Sequence, residues 1–305
     1  MSQSQRPLQG CAVGISISES DDSIERGFPS WQVNRVTLQL VVALFGQGAG
    51  VVFGHDWRED GVMEAVHGFA LQMQPSIASV SGTTVVEQPL LRNLLPWPDK
   101  PRLDPDERKR LASTLSIEEA GLPSDLVGTP NRSAGNGNPQ YVRARALTHL
   151  RHLLTKKIDA RVSFGGRTGG SQGRYPGIIE EALFAFQERK PLYAAGLLGG
   201  ATQQIIDAVQ GGQMPPDFCH ASKTKELFAD QAGKMIESDG AAQADLVVDP
   251  PAVWDTFKHA GLSGLSEANK LSEEENLELF HTAALDRAIN LILLGLARVS
   301  HAKRA

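Results

Sequence analysis

The sequence predicts an α/β protein with a Rossmann-like, doubly wound and mainly parallel sheet, helices on both faces and a helical C-terminal extension. Three observations carry this reading. Short apolar runs alternate with amphipathic helical patterns through the first two thirds of the chain. Glycines, 30 in 305 residues, gather at the carboxyl ends of the expected strands, and the last quarter is patterned as helix. Strands separated by helical crossovers pair in parallel and are buried on both faces. The sheet domain is expected over residues 1–220 and the helical extension, packed on it, over residues 221–305.

In order, Cys11–Ile17 reads as a first strand and Trp31–Phe45 as an amphipathic helix. Gly50–Gly54 is a short second strand, followed by a helix from Gly61 to about Gln72. Ile77–Val86 is a weaker strand candidate, and Pro105–Leu115 is a charged helix. Between Pro123 and Gln140 the composition turns to Pro, Gly, Ser and Asn, a flexible excursion. A helix over Tyr141–Lys156 leads to a strand over Ala160–Phe164. After a glycine loop come a helix over Ile178–Gln187, a strand over Lys190–Ala195 and a helix over Thr202–Val209. Ser272 and Glu275 have capping-box spacing, and the helix they start carries Leu277, Phe280, Ala284, Ala288, Leu291 and Ile292 on an apolar face. That face packs on the sheet domain or on a second copy of the chain.

The glycine loop carries the functional signal. From Phe164 to Gly177 it holds Gly165, Gly166, Gly169, Gly170 and Gly177, with Arg167 and Arg174 among them. Glycines let backbone N–H groups turn toward an anion, the following helix start adds unpaired N–H groups and a partial positive charge, and the arginines supply counter-charge. Neither the P-loop pattern nor the dinucleotide fingerprint is present in order, and such turns also serve as plain connections. Three further strand ends converge on the same region. These are Ser16, Ser18 and Ser20; Asp56 and Arg58 in the segment after Gly54; and Gly199, Gly200 and Thr202 before a helix. The serines can donate to phosphate or cap a turn. Asp56 and Arg58 can read a base or ribose, or form a local ion pair. Thr202 can cap its helix or touch a ligand. Glu180 and Glu181 fall in a first helical turn, where the dipole favours carboxylates, and either can meet ribose hydroxyls or act in catalysis.

Composition narrows the rest. A net charge of −5 with no basic stripe argues against a nucleic-acid partner, and the longest apolar run, Leu291–Ala297, is too short for a bilayer. Two cysteines, Cys11 and Cys219, give no disulfide framework, which with the absence of an apolar leader suits a cytoplasmic protein. His149 and His152 share a helix face without acidic or sulfur neighbours in sequence, so no metal site is expected.

The run Ile158–Gly166, then Pro176–Ala182, Lys190-Pro-Leu-Tyr193 and Gly199-Gly-Ala-Thr202, resembles the SLOG superfamily. This groups DprA, the Lonely Guy phosphoribohydrolases and the nucleotide-sensing domains of bacterial conflict systems and TRPM-type channels. Lonely Guy members carry Pro-Gly-Gly-x-Gly-Thr-x-x-Glu after a strand. The resemblance matches Gly165 and Gly166 to the leading glycines, Gly177 to the third and Glu181 to the terminal acid, with Arg145 or Arg151 as the arginine of the preceding helix. This chain departs in the insertion Arg167–Tyr175, in Phe164 for the leading Pro and in Ile178 for the Thr. The resemblance implies a nucleotide ligand, no required cofactor, a homo-oligomer and a separate effector protein. It implies a sensor of an ADP-ribose or cyclic ADP-ribose type signal in antiphage or stress defence. The alternative it implies is an N-glycosidase with Glu181 and Arg151 as catalytic residues.

Overall fold

The computed structural model describes residues 6–20, 22–54, 62–81, 89–99, 104–123, 126, 139–220, 226, 228 and 248–304. Six strands form one all-parallel sheet: β1 (Ala12–Ser18), β2 (Gly50–Gly54), β3 (Leu91–Leu95), β4 (Leu115–Glu119), β5 (Ala160–Gly165) and β6 (Leu192–Ala195). Their order across the sheet is β4-β3-β2-β1-β5-β6. The chain steps outward from β1 to β4, then returns to the other side of β1 to lay down β5. The strand order therefore reverses between β1 and β5, where crossovers on opposite faces diverge and leave a crevice.

Helices α1 (Ser30–Gly46) and α2 (Val62–Ser81) cover one face. Helices α4 (Pro139–Lys156), α5 (Gly177–Gln187) and α6 (Gly200–Val209) cover the other, and the short α3 (Pro105–Leu111) packs on β4. Period-two alternation sorts the strand residues between these layers. Val13 and Ile15 of β1, Val51 and Phe53 of β2, and Ala160, Val162 and Phe164 of β5 join the core under α1 and α2. On the opposite face β1 presents Gly14 and Ser16 beside Arg161 and Ser163 of β5. That face is polar at the point where the crevice opens.

The C-terminal region adds α7 (Pro250–Asn269), α8 (Glu273–His281) and α9 (Leu285–Arg304). Helix α7 is capped by the Asp249 side chain, which accepts the Ala252 N–H, with proline next in its first turn. Its Val253, Trp254 and Phe257 enter the core with α5 and α6. Ser272 and Glu275 close the expected capping box at the start of α8. The apolar face read from the sequence as one helix is divided between α8 and α9. Thr282 turns extended, and its hydroxyl accepts the Ala284 N–H, so one helix stops and a short turn leads to the next. Ala288, Ile289, Ile292 and Leu296 of α9 then join the core of β1 and α1, so the apolar face packs within the chain.

Two other expectations are corrected. The stretch from Ile77 was expected to form a strand, but Ile77–Ser81 complete α2, which is already packed by Met63, Val66 and Ala70 and simply continues. Residues 82–86 lie outside the described residues. The third and fourth strands are instead β3 and β4. The helix expected to reach Leu115 ends at Leu111. The Thr114 N–H turns back to the Leu111 carbonyl, its Oγ1 lies 2.8 Å from His67 Nε2, and Leu115 begins β4. Most of the excursion after Pro123 lies outside the described residues.

Candidate functional site

A cleft of about 260 Å³ opens at the carboxyl end of the sheet where the strand order reverses. Strand β1 supplies Ser16 and Ser18 to its wall, β2 supplies Phe53 and Gly54, and α2 supplies Val62 and Met63. The glycine loop contributes Arg167, Gly169 and Gly170, and the first turn of α5 contributes Gly177, Ile178 and Glu181. Helix α5 begins after Pro176 with no side-chain cap, so its leading N–H groups are left for water or a ligand.

Gly165 and Gly166 sit beneath this wall. Gly165 has φ +62° and Gly166 φ +95°, and a Cβ on the first would press into the Ser18 carbonyl, on the second into Ile178. The Gly166 N–H donates to Ser18 O at 3.0 Å, which ties the end of β1 to the loop. These two glycines shape the cleft without lining it.

Glu180 and Glu181, adjacent in sequence, face different surroundings. Glu181 looks into the cleft, and its Oε2 accepts from the Ser16 hydroxyl and from Arg161 Nη1 at 2.7 Å. Arg161 also donates to Ser16 Oγ at 2.7 Å and to Thr155 Oγ1 at 3.2 Å. Burial pushes the Arg161 guanidinium below its ordinary value while the Glu181 carboxylate pulls it back up. Glu180 is turned away and fully buried. It accepts from Arg174 Nε at 3.0 Å, from Thr148 Oγ1 at 2.8 Å and from Arg151 Nη1. Arg151 and Arg174 therefore hold the glycine loop against α4 and α5 and do not line the cleft. Among the described residues, Arg151, Arg161 and Arg174 pair with the two carboxylates, and Arg167 lines the same cleft as Glu181.

The second glycine cluster is also turned inward. Asp22, in the loop after β1, accepts the Gly200 N–H at 3.0 Å, so the start of α6 meets a carboxylate of the chain itself. Burial raises the Asp22 carboxyl, but the Arg26 hydrogen bond and charge outweigh it and hold it below the usual carboxylate range. Thr202 Oγ1 donates to Gly165 O at 3.0 Å, and Ser20 Oγ donates to Leu198 O. Gly199, Gly200 and Thr202 thus brace the end of β5 and are absent from the cleft lining. Asp56 and Arg58 lie outside the described residues.

Of the residues read from the sequence, the structure brings Ser16, Ser18, Arg167, Gly169, Gly170, Gly177 and Glu181 to one cleft. Arg161 was missed. An arginine inside an apolar strand is itself the signal, since a buried guanidinium needs a carboxylate partner. Cys11 and Cys219 are both free, and burial, chiefly, raises the Cys11 thiol to about 11, which keeps it protonated at neutral pH. Among the described residues no cluster of His, Cys, Asp or Glu has the makings of a metal site, and no helix is long and apolar enough to cross a membrane.

An all-parallel sheet whose order reverses beside its first strand, with a glycine-rich cleft at that reversal, defines a Rossmann-like α/β protein with a candidate small-molecule site. The sequence model of the family described as SLOG cluster2 matches residues 7–279, and the chain belongs to this family of the SLOG superfamily. Membership carries a nucleotide-related function. No curated protein matches the chain.

Proposed function

We propose that the protein binds a nucleotide or nucleotide-derived signal, of the ADP-ribose or cyclic ADP-ribose type, in the β1–β5 cleft and acts as a sensor or regulatory module. The observation that carries this reading is the uncapped start of α5 opening on the cleft beside Arg167, with the Glu181 carboxylate on the same wall. The helix start and Arg167 suit phosphate, and Glu181 suits ribose hydroxyls. A cleft of about 260 Å³ takes the phosphoribosyl part of such a ligand, with the base toward the open side. In this reading the protein works in the cytoplasm as a homo-oligomer and passes its signal to a separate effector in antiphage or stress defence.

A second reading, an N-glycosidase of the Lonely Guy kind, is favoured by Glu181, whose carboxylate could stabilise the positive charge left on ribose as the base departs. Arg151, the arginine it would need, is engaged by Glu180 outside the cleft lining, which favours the sensor. A thermal-shift screen against nucleotides, ADP-ribose, its cyclic forms and NAD tests both, with mass spectrometry of every hit. A ligand at a hundred times its Kd adds about 2.7 kcal/mol, a readily measured shift. The sensor returns the ligand intact, and the glycosidase returns free base and ribose phosphate. Glu181→Gln then abolishes turnover in an enzyme while leaving binding, and changes affinity alone in a sensor. A screen without hits overturns the site itself.

A further inference from the structure

Arg161 is the largest of the buried side chains among the described residues, 2% exposed, and lies directly behind the cleft wall. One of its nitrogens, Nη1, donates both to Ser16 Oγ and to Glu181 Oε2, each at 2.7 Å. The Ser16 hydroxyl accepts from Arg161 and gives its proton to the same Oε2. The protein's hydrogen bonds to Glu181 therefore end on a single oxygen. Oε1 accepts none among the described residues, and the side chain, 16% exposed, reaches the cleft. The carboxylate is held at one oxygen and open at the other.

We propose that Arg161 is a positioning residue of the ligand site: with Ser16 it clamps Glu181 so that Oε1 selects a ligand carrying a free ribose hydroxyl. This rests on the nucleotide reading above. An ionised carboxylate only accepts hydrogen bonds, so a hydroxyl facing Oε1 is bound, whereas a hydrogen or a phosphate ester at that position loses the bond or is repelled. Arginine suits the post because its charge survives burial and its fork reaches serine, threonine and glutamate together. The ligand class is thus a ribosyl phosphate with an unsubstituted hydroxyl on its sugar, anchored by phosphate at the α5 start.

Calorimetric titrations with AMP, ADP and ADP-ribose, each beside its 2′-deoxy and 3′-deoxy counterparts, test this. For the tightest ligand, loss of one hydroxyl weakens binding to the native protein by about tenfold or more, the scale of a hydrogen bond to a charged group. In Arg161→Met that discrimination shrinks to about twofold, and Arg161→Lys restores part of it. In a Glu181→Gln background, Arg161→Met changes discrimination no further, which a merely structural role would not produce. Ser16→Ala keeps the Arg161–Glu181 pair and loses part of the discrimination, and it serves if Arg161→Met does not fold. Equal binding of all counterparts by the native protein, or undiminished discrimination in folded Arg161→Met or in Ser16→Ala, overturns the proposal while nucleotide binding stands. Failure of every nucleotide to bind overturns both.

Discussion

Replacing Glu180 with Ala would remove the carboxylate shared by the buried Arg174 and the partly buried Arg151. The loss should be about 3–5 kcal/mol, the scale of breaking a buried ion pair by removing one partner, and chemical denaturation would measure it. Arg167→Ala should behave in the opposite way. It lines the cleft from an exposed loop, so stability should hold while affinity for a phosphorylated ligand falls about tenfold or more in titration calorimetry. Because Arg174 is engaged inside, Arg167 is the glycine-loop arginine at the cleft wall, and raising salt should weaken ligand binding only gradually. At this scale the sequence was legible where a residue type and its local pattern agree. The loop glycines and Glu181 follow an apolar strand, and they reached the cleft or its foundation. Arg161 was hidden because its partners, Ser16 and Glu181, are brought to it only by the parallel pairing of β1 with β5 and the return of α5.

Among the elements, the β5–α5 turn carries the geometry on which the cleft depends. Gly165→Ala would place a side chain at φ +62° against the Ser18 carbonyl, so the approach of β1 to β5 must open. A lower melting temperature together with weaker nucleotide binding is the expected result, read by scanning calorimetry and titration on the same preparation. Strands β1, β2, β5 and β6 were readable because each is a short, mostly apolar run ending in glycine or a small residue. Strand β3 was not. Its Leu-Arg-Asn-Leu-Leu pattern includes Arg92, whose Nη2 donates to the Lys157 carbonyl, a partner no local pattern indicates. Strand β4 sits at the sheet edge and ends in two glutamates, which is sensible on an edge and poor as a strand signal. The α8–α9 break is equally local in cause. The Thr282 hydroxyl competes for the Ala284 N–H, a choice that heptad-like spacing of apolar residues does not reveal.

For the whole molecule, the amino end of the sheet, opposite the cleft, is closed by a clasp of its own. At the amino end, Asp159 accepts from the Ala12 N–H at 2.9 Å and from Lys303 Nζ at 2.8 Å, joining β1, β5 and the end of α9. Burial raises the Asp159 carboxyl, but the Lys303 and Ala12 hydrogen bonds outweigh it and hold it below its ordinary value. A carboxyl depressed on folding contributes its full stability above the unfolded value of about 4, and that contribution disappears as pH falls through the folded value. Melting temperatures recorded from pH 5 to pH 2 should therefore fall less steeply in Asp159→Asn than in the native protein. The position of this clasp has a practical side as well. Arg304 donates to the Gln9 carbonyl, so the last turn of α9 lies beside the amino ends of the strands, across the sheet from the cleft. A sensor surface that captures the protein by that end would present the cleft to the flowing solution, so ligands could be screened on immobilised protein without blocking their point of entry.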